Sequence, residues 1–374
     1  MGTELETLLI ERIEREGPMP FAAFMSQALY HPKLGYYSRG VPRTGWAGHF
    51  VTSPELDPIF GELWAAAFEQ IWVACDRPDP FRVVEIGPGE GSFATAVLDS
   101  ARGPFSEVLT YVLIERIPKL EERQRERLAD RSSVEWAKAV DEIPPAPGVV
   151  FANEVLDNLP VHIVEAREER LFEVLVEVTR GKLVLTRRAP AGTELADFIA
   201  RTGLDLRDGH MLEVAMAAES LVTRAASVVE RGAVIFIDYG MDARGAAERP
   251  EGTLVCYSST GTDTEPLERV GEKDITVHAN WTVVGNALRS AGHKVVGPVM
   301  QRRILSSLGL SDRDDALRDE HQAALAAKQG AAALRALSRR QALGALSDPG
   351  GLGGLQVVAG LNDVAPPPFL QPQA

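Results

Sequence analysis

Residues 83–91 read Val83-Val84-Glu85-Ile86-Gly87-Pro88-Gly89-Glu90-Gly91, a carboxylate two places ahead of three glycines at alternate positions. Glycine permits positive φ in a tight turn and lets a ligand lie against bare backbone. A dinucleotide fingerprint spaces its glycines G-x-G-x-x-G. Here the third glycine comes one residue sooner, and a carboxylate at Glu85 suits a cation better than a pyrophosphate. The bland reading is an ordinary glycine turn in an α/β protein. A second acid bears on that choice. Glu115 ends the next apolar run, roughly 25 residues past the loop, near the spacing at which a βαβ unit sets an acid against a ribose diol. A carboxylate accepts hydrogen bonds from both ribose hydroxyls. Loop and acid in this order favour an adenosine-containing cofactor over a solvated acid at a strand end.

A third polar cluster, Asn153, Glu154 and Asp157, directly follows another apolar run, residues 148–152. Polar groups there lie at the carboxyl edge of a parallel sheet, where ligands bind in open α/β folds. If the turn is helical, the two carboxylates, three apart, share a face and can grip a guanidinium through its planar donors. The competing readings are charge complementarity at a helix N-terminus for Asp157 and a helix cap for Asn153. Asp238 and Tyr239, after the run 232–238, are secondary candidates that can equally serve structural hydrogen bonding.

The elements that must position these groups follow from apolar runs and periodicity. Residues 81–86, 109–115, 132–137, 148–152 and 232–238 are predicted core strands, with 293–299 and 355–359 completing the set; strands buried on both faces read as near-continuous apolar runs. Helical periodicity marks 3–16, 21–30, 58–74, 92–100, 116–128, 194–201, 210–230 and 281–291. Residues 300–309 and 313–346 are helical and Ala-rich. Between 160 and 188 the period changes to alternation around Arg180-Gly181-Lys182, which predicts an antiparallel ribbon inserted between core strands.

Composition narrows the function class. The chain has 374 residues, 45% of them hydrophobic, with a formal net charge of −14. That balance argues against nonspecific nucleic-acid binding, which needs clustered Lys and Arg. No apolar run reaches membrane-spanning length. The two cysteines, Cys75 and Cys256, form no disulfide framework, and the seven histidines show no ligand spacing, so no metal is expected. Residues 1–16 lack a signal-peptide h-region and a transit-peptide composition, which predicts a cytoplasmic protein.

The glycine loop resembles motif I of the class I S-adenosylmethionine (SAM) methyltransferases, whose ligand carries a sulfonium and an ammonium. Further segments resemble one family within that class: Leu29-Tyr30-His31-Pro32, Gly35-Tyr36-Tyr37, Phe50-x-Thr52-Ser53-Pro54-Glu55-x-x-Pro58-x-Phe60-Gly61, the signature Ala152-Asn153-Glu154-x-x-Asp157-x-Leu159-Pro160, and Ile237-Asp238-Tyr239-Gly240. With Gly271-x-x-Asp274-Ile275-Thr276-x-His278, comparable to a segment of the substrate region, these look like the MidA-like SAM-dependent methyltransferases, the group that includes a mitochondrial complex I assembly factor. The chain departs from the pattern at His49, where the family has an acid, and at Ser258-Ser259-Thr260-Gly261, where basic residues often stand.

The resemblance implies an α/β, Rossmann-like, seven-stranded doubly wound sheet with a reversed last strand. It would carry an N-terminal helical cover (1–75), a SAM-binding core (76–160 and 231–300), an inserted β-ribbon and helical lobe (161–230), C-terminal helices and closing strand (301–364) and a disordered tail (365–374). It implies SAM as cofactor, held by Glu85, Gly87, Pro88, Gly89, Gly91, Glu115 and Asn153, with Thr52 and Glu55 approaching from the cover. Glu154 and Asp157, with Asn153, would be catalytic. An arginine has a pKa above ~12, so a carboxylate placed to accept the proton as the new bond forms is the economical device. The implied reaction is methylation of an arginine on a protein, a respiratory-complex subunit being one candidate and a homodimer one possible assembly. A small-molecule N- or O-methyltransferase on the same fold and a non-catalytic SAM-binding assembly factor are the alternatives.

Overall fold

The computed structural model describes residues 2–39, 52–204 and 206–371. His49 and Phe50 lie outside them. The chain begins with helix α1 (Glu4–Glu16), whose N-terminus is closed by a reciprocal box: the Thr3 hydroxyl accepts from the Glu6 amide at 3.1 Å while the Glu6 carboxylate accepts from the Thr3 amide. Helix α2 (Phe21–Tyr30) follows. Helix α3 (Ile59–Ala74) leads into strand β1 (Phe81–Ile86), and helix α4 (Ser92–Ser100) into β2 (Leu109–Ile114). After helix α5 (Pro118–Arg127) come the short β3 (Val134–Ala137) and β4 (Ala146–Asn153). Helix α6 (Met216–Ser227) precedes β5 (Val229–Asp238), and helix α7 (Trp281–Ser290) precedes β6 (Lys294–Met300). The antiparallel helices α8 (Leu310–Ala326) and α9 (Gly330–Ser347) lead to the closing strand β7 (Gln356–Asn362).

These seven strands form one sheet in the order β6-β7-β5-β4-β1-β2-β3. All run parallel except β7, which is antiparallel to both neighbours. Alternate residues of each strand face opposite layers, as the pleat requires. Val83, Leu113, Phe151 and Ile235 meet Trp64 and Phe68 of α3 and Phe93 of α4. Val84, Val112, Val150 and Val234 meet Val222 of α6 and Leu288 of α7. Phe93 stacks on Phe151 at 4.6 Å, which pins α4, and hence the glycine loop before it, to β4. Strand order reverses between β1 and β4, and such a switch point opens a crevice beyond the strands' carboxyl ends.

The second body is a lobe. A five-stranded antiparallel sheet contains His162–Arg167, Arg170–Thr179 and Lys182–Arg188, edged by Met19–Pro20. Helices α1 and α2 bury Leu5, Leu9, Phe24 and Leu29 against Val174, Val176 and Ile275. The N-terminal cover and the insertion are therefore one unit, joined by the three strands Val255–Ser258, Gly261–Asp263 and Asp274–Thr276. Helix α3, expected in the cover, belongs instead to the sheet's helical layer.

Two further expectations are corrected. Residues 210–230 are not one helix: Met211–Val214 pairs with His162–Glu165 as a strand, and only α6 is helical. The alternation of Leu212 and Val214 inward against Met211 and Glu213 fits the ribbon's open edge, so pairing overrides propensity there. The described part of the tail, residues 365–371, packs against the core. Phe369 and Leu370 are buried, and Phe369 meets the Trp64 ring edge-on at 6.0 Å. An apolar pair next to an aromatic core gains more from burial than the chain loses in freedom.

Candidate active site

The crevice is a cleft of about 270 Å³ beyond the ends of β1, β4 and β5, walled on its far side by the lobe. On the β1 side, Glu85, Gly87, Pro88 and Gly89 line it. Gly89 has φ +54°, and a Cβ built there has no atom within 4 Å, so its backbone lies open. Glu85 accepts from the Tyr111 hydroxyl at 2.7 Å, and burial pushes its carboxyl up to about 8. Gly91 does not line the cleft; it is the left-handed residue that starts α4. Glu115 does not line it either. Its carboxylate, pushed up to about 7 by burial, accepts from the Ile117 amide at 2.8 Å and from Gln124 Nε2 at 3.1 Å. Gln124 Nε2 also donates to the Gly89 carbonyl at 2.7 Å, and its Oε1 accepts from Trp136 at 3.2 Å. Gln124, fully buried, thus ties the second acid to the glycine loop. Sequence reasoning gave Gln124 no place in the site.

The β4 end supplies Asn153, Glu154 and Asp157. The turn after β4 is not helical. Glu154 has φ +53°, and its amide donates to the Ile237 carbonyl at 2.8 Å, so the chain leaves the sheet edge in an abrupt bend. A non-glycine residue there costs about 1–3 kcal/mol. With no helix, the shared helical face is overturned, and so are the cap and dipole readings of Asn153 and Asp157. Tertiary hydrogen bonds bring the two acids into one cleft instead. Asp238 Oδ2 accepts from the Leu156 and Asp157 amides at 2.9 and 3.2 Å, and Oδ1 accepts from the Tyr239 amide at 2.8 Å. Asp238 therefore spends its oxygens on shaping the turn.

Glu154 Oε1 accepts from Asn153 Nδ2 at 2.8 Å and from the Ser53 amide at 3.4 Å, and burial pushes the carboxyl up to about 7. Asp157 is pushed well above the ordinary carboxylate range, first by burial and then by the charges of Asp238, Asp274 and Glu154. Asp157 Oδ1 and Asn153 Oδ1 are buried and have no partner among the described residues. A buried orphan acceptor is costly, and two of them in one cleft call for a donor-bearing ligand.

Thr52, Pro54 and Glu55 close a third side from the short helix Ser53–Leu56. The Ser53 hydroxyl accepts from the fully buried Gln301 at 3.0 Å, and Arg339 of α9 donates to both oxygens of Asp57 at 3.2–3.4 Å. The lobe contributes Tyr37, Tyr257, Asp274 and His278. The Tyr37 hydroxyl lies 2.9 Å from both Asn158 Oδ1 and Asp274 Oδ2, and Asn158 Nδ2 donates to Asp274 Oδ1 at 2.9 Å. Tyr37, Asn158 and Tyr257 were missed as site residues, and Asp274 and His278 were flagged only through their motif. No lysine or arginine is among the described residues lining the cleft. Among the described lining residues the acids therefore outnumber the bases, which suits a cationic ligand.

A protein-family model described as "Putative S-adenosyl-L-methionine-dependent methyltransferase" matches residues 63–299, more than half of the chain. The mitochondrial protein arginine methyltransferase NDUFAF7 of Danio rerio is 27% identical over 365 residues, covering 86% of this chain and 80% of that protein. Its counterpart of Mus musculus is 28% identical, covering 86% and 78%. Among solved structures, a Burkholderia thailandensis protein described as a "likely methyl transferase" and bound to S-adenosyl-homocysteine is 29% identical. It superposes with a TM-score of 0.85 over 98% of this chain and 94% of that one. The expected cytoplasmic location does not stand, because these curated relatives are named mitochondrial. That expectation rested on residues 1–16, most of which are the packed helix α1, with Leu5, Leu9 and Ile13 in the lobe core. Their composition answers to packing and says nothing about destination.

Proposed function

The chain belongs to the MidA-like family of SAM-dependent methyltransferases, and from that premise we propose that it methylates the guanidinium of an arginine on a protein substrate. The observation that carries this reading is the acidity of the cleft, where the Asp157 Oδ1 orphan lies beside Glu154 and Asp274 and no lysine or arginine is among the described lining residues. A guanidinium brings five N–H donors and a permanent charge. It answers both the missing partner and the missing countercharge. The names of the curated relatives support the same acceptor.

The residues fit the cofactor. Gly89 offers open backbone, and among the described residues Asn153 Oδ1 lacks a donor and Glu85 a countercharge. In this reading Glu85, Gly87, Pro88, Gly89 and Asn153 hold SAM, with Glu115 behind the loop for the ribose hydroxyls and Thr52 and Glu55 closing over it. SAM supplies, when bound, an electrophilic methyl on a sulfonium. Everything else falls to the protein. Asp157 Oδ1 accepts from one guanidinium N–H and fixes the plane of the group. Glu154 is held through Oε1 by two donors, while Oε2 has no hydrogen-bond partner among the described residues. Oε2 receives the proton that the attacking nitrogen must lose, and a carboxyl raised to about 7 keeps it near neutral pH.

The test is label transfer from methyl-labelled SAM into cell-lysate protein, with hydrolysis to identify the modified residue. Wild-type protein is expected to yield methylarginine. Asp157→Asn should keep the SAM Kd within about twofold and lower transfer by roughly 10²-fold or more, the scale of a misplaced reacting group. Gly89→Val, which forces a branched side chain into a φ of +54° beside the cofactor, should lose both binding and transfer. Label in another residue type, or only in small molecules, overturns the acceptor. Undiminished transfer by Asp157→Asn overturns the catalytic assignment.

A further inference from the structure

We infer that Tyr239 and Tyr257 are the two aromatic walls through which the acceptor side chain enters, and that they select a planar guanidinium over a compact ammonium. The inference rests on the arginine reading and adds the residues that recognise the group. Strand order locates them. The glycine loop and Glu115 follow β1 and β2, on one side of β4, whereas Tyr239 follows β5 on the other. The Asn153–Asp157 turn stands between, so a ring after β5 faces the acceptor's half of the cleft and not the adenosine half.

Tyr239 is held by its backbone and free at its ring. Its amide donates to Asp238 at 2.8 Å and its carbonyl accepts from the Ala279 amide at 2.8 Å. The next residue is closely packed: a Cβ on Gly240 would sit 2.4 Å from Trp281 Nε1. Yet the side chain is 38% exposed and its hydroxyl has no partner among the described residues. A large aromatic on a fixed backbone, facing a cleft, is a surface kept for contact. Tyr257 comes from the lobe strand Val255–Ser258, directly opposite Asp274 in the antiparallel register, so the two side chains share one face. Tyr239, Tyr257 and Asp157 lie close enough to feel one another's charge. Burial and the nearby carboxylates keep both phenols protonated, and each ring presents a neutral π face.

The combination is selective. A ring face attracts cations through its quadrupole. A guanidinium is flat and weakly hydrated, so it stacks on a ring while its edge N–H groups reach carboxylates in the same plane. An ammonium is a strongly hydrated point charge and gains less from the walls while losing more water. Two rings flanking Asp157 and Asp274 therefore reward the planar cation.

The test titrates the full-length protein, saturated with S-adenosyl-homocysteine, with three pentapeptides, Gly-Gly-X-Gly-Gly, where X is arginine, lysine or citrulline. Wild type is expected to bind the arginine peptide at least tenfold more tightly than the other two. Tyr239→Ala and Tyr257→Ala should each weaken it by about three- to thirtyfold, the span of a cation–π contact from exposed to desolvated. Both should leave the SAM Kd unchanged, and the Phe variants should restore arginine binding. Alanine variants that bind arginine like wild type overturn the inference while leaving the arginine reading intact. Alanine variants that lose SAM overturn it by assigning the rings to the cofactor. A wild type that binds the citrulline peptide as tightly as the arginine peptide overturns the arginine reading itself.

Discussion

Glu85, Glu115 and Glu154 share one physical condition: each is a carboxylate removed from water, and burial raises each to about 7 or 8. An unfolded glutamate titrates near ~4.3. Between those values the folded chain binds more protons than the unfolded chain, so stability falls as pH rises and is lost through the folded values. The ligand-free protein is therefore expected to melt at a lower temperature at pH 8.5 than at pH 6.0. A cationic ligand reverses the preference. SAM affinity should rise as pH climbs through 7–8, and binding below that range should release protons, visible in calorimetry as a dependence on the buffer's ionisation heat. Glu85→Gln should flatten the profile; equal Kd at both pH values in wild type means that Glu85 is ionised throughout and needs no help from the ligand. The carboxylate and glycine spacing of this half of the site is legible in sequence because it is set within one strand–turn–helix. Tyr37, Asn158 and Gln124 were not, because their roles depend on partners such as Asp274 and Gly89, far along the chain and visible only once folded.

The helix Ser53–Leu56 is a single turn, too short to hold its own shape in water. It is kept in place from behind, by Gln301 on the Ser53 hydroxyl and by Arg339 on Asp57, whose side chain is only 9% exposed. Because Thr52, Pro54 and Glu55 wall the cleft from this turn, the Ala-rich helices act as its buttress. Arg339→Ala should raise the SAM Kd by about two- to fivefold, in keeping with a partly exposed ion pair worth up to ~1 kcal/mol. Arg339→Lys, which keeps the charge but not the paired donors, should lie between. A SAM Kd untouched by Arg339→Ala would show that Gln301 alone positions the turn. Periodicity announced these helices, but not the break at Lys328, with φ +59°, or the docking, since Arg339 and Asp57 are 282 residues apart. The same limit explains residues 210–230, where the strand Met211–Val214 exists only because the ribbon has an edge to fill.

At the scale of the whole molecule, the cleft is a seam between two bodies with separate hydrophobic centres. The sheet's helical layers form two of the buried clusters and the lobe a third. The seven-stranded sheet with its reversed strand was legible through motifs and apolar runs. The lobe's true composition was not, because it draws on chain from both ends of the core: α1 and α2, the ribbon, and residues 255–276. What crosses the seam is mainly polar. The Tyr37 hydroxyl reaches Asn158 and Asp274, the Tyr30 hydroxyl donates to the Asn158 carbonyl at 3.2 Å, and the Val277 amide donates to the Asp157 carbonyl at 2.9 Å. Polar contacts of this kind add about 0.5–3 kcal/mol each and orient more than they glue. The lobe is therefore expected to open locally before the sheet unfolds. Amide exchange should be faster in α1, α2 and the ribbon than in β1, β4 and β5, and Tyr37→Phe should widen that gap by removing a donor from the buried Asp274. A ligand bound across the seam should narrow it, so S-adenosyl-homocysteine is expected to slow exchange in the lobe as well as around the glycine loop. If Tyr37→Phe instead speeds exchange equally in the core strands, the two bodies unfold as one. The cleft would then be a fixed slot, and its two halves could not yield to admit a protein-borne side chain.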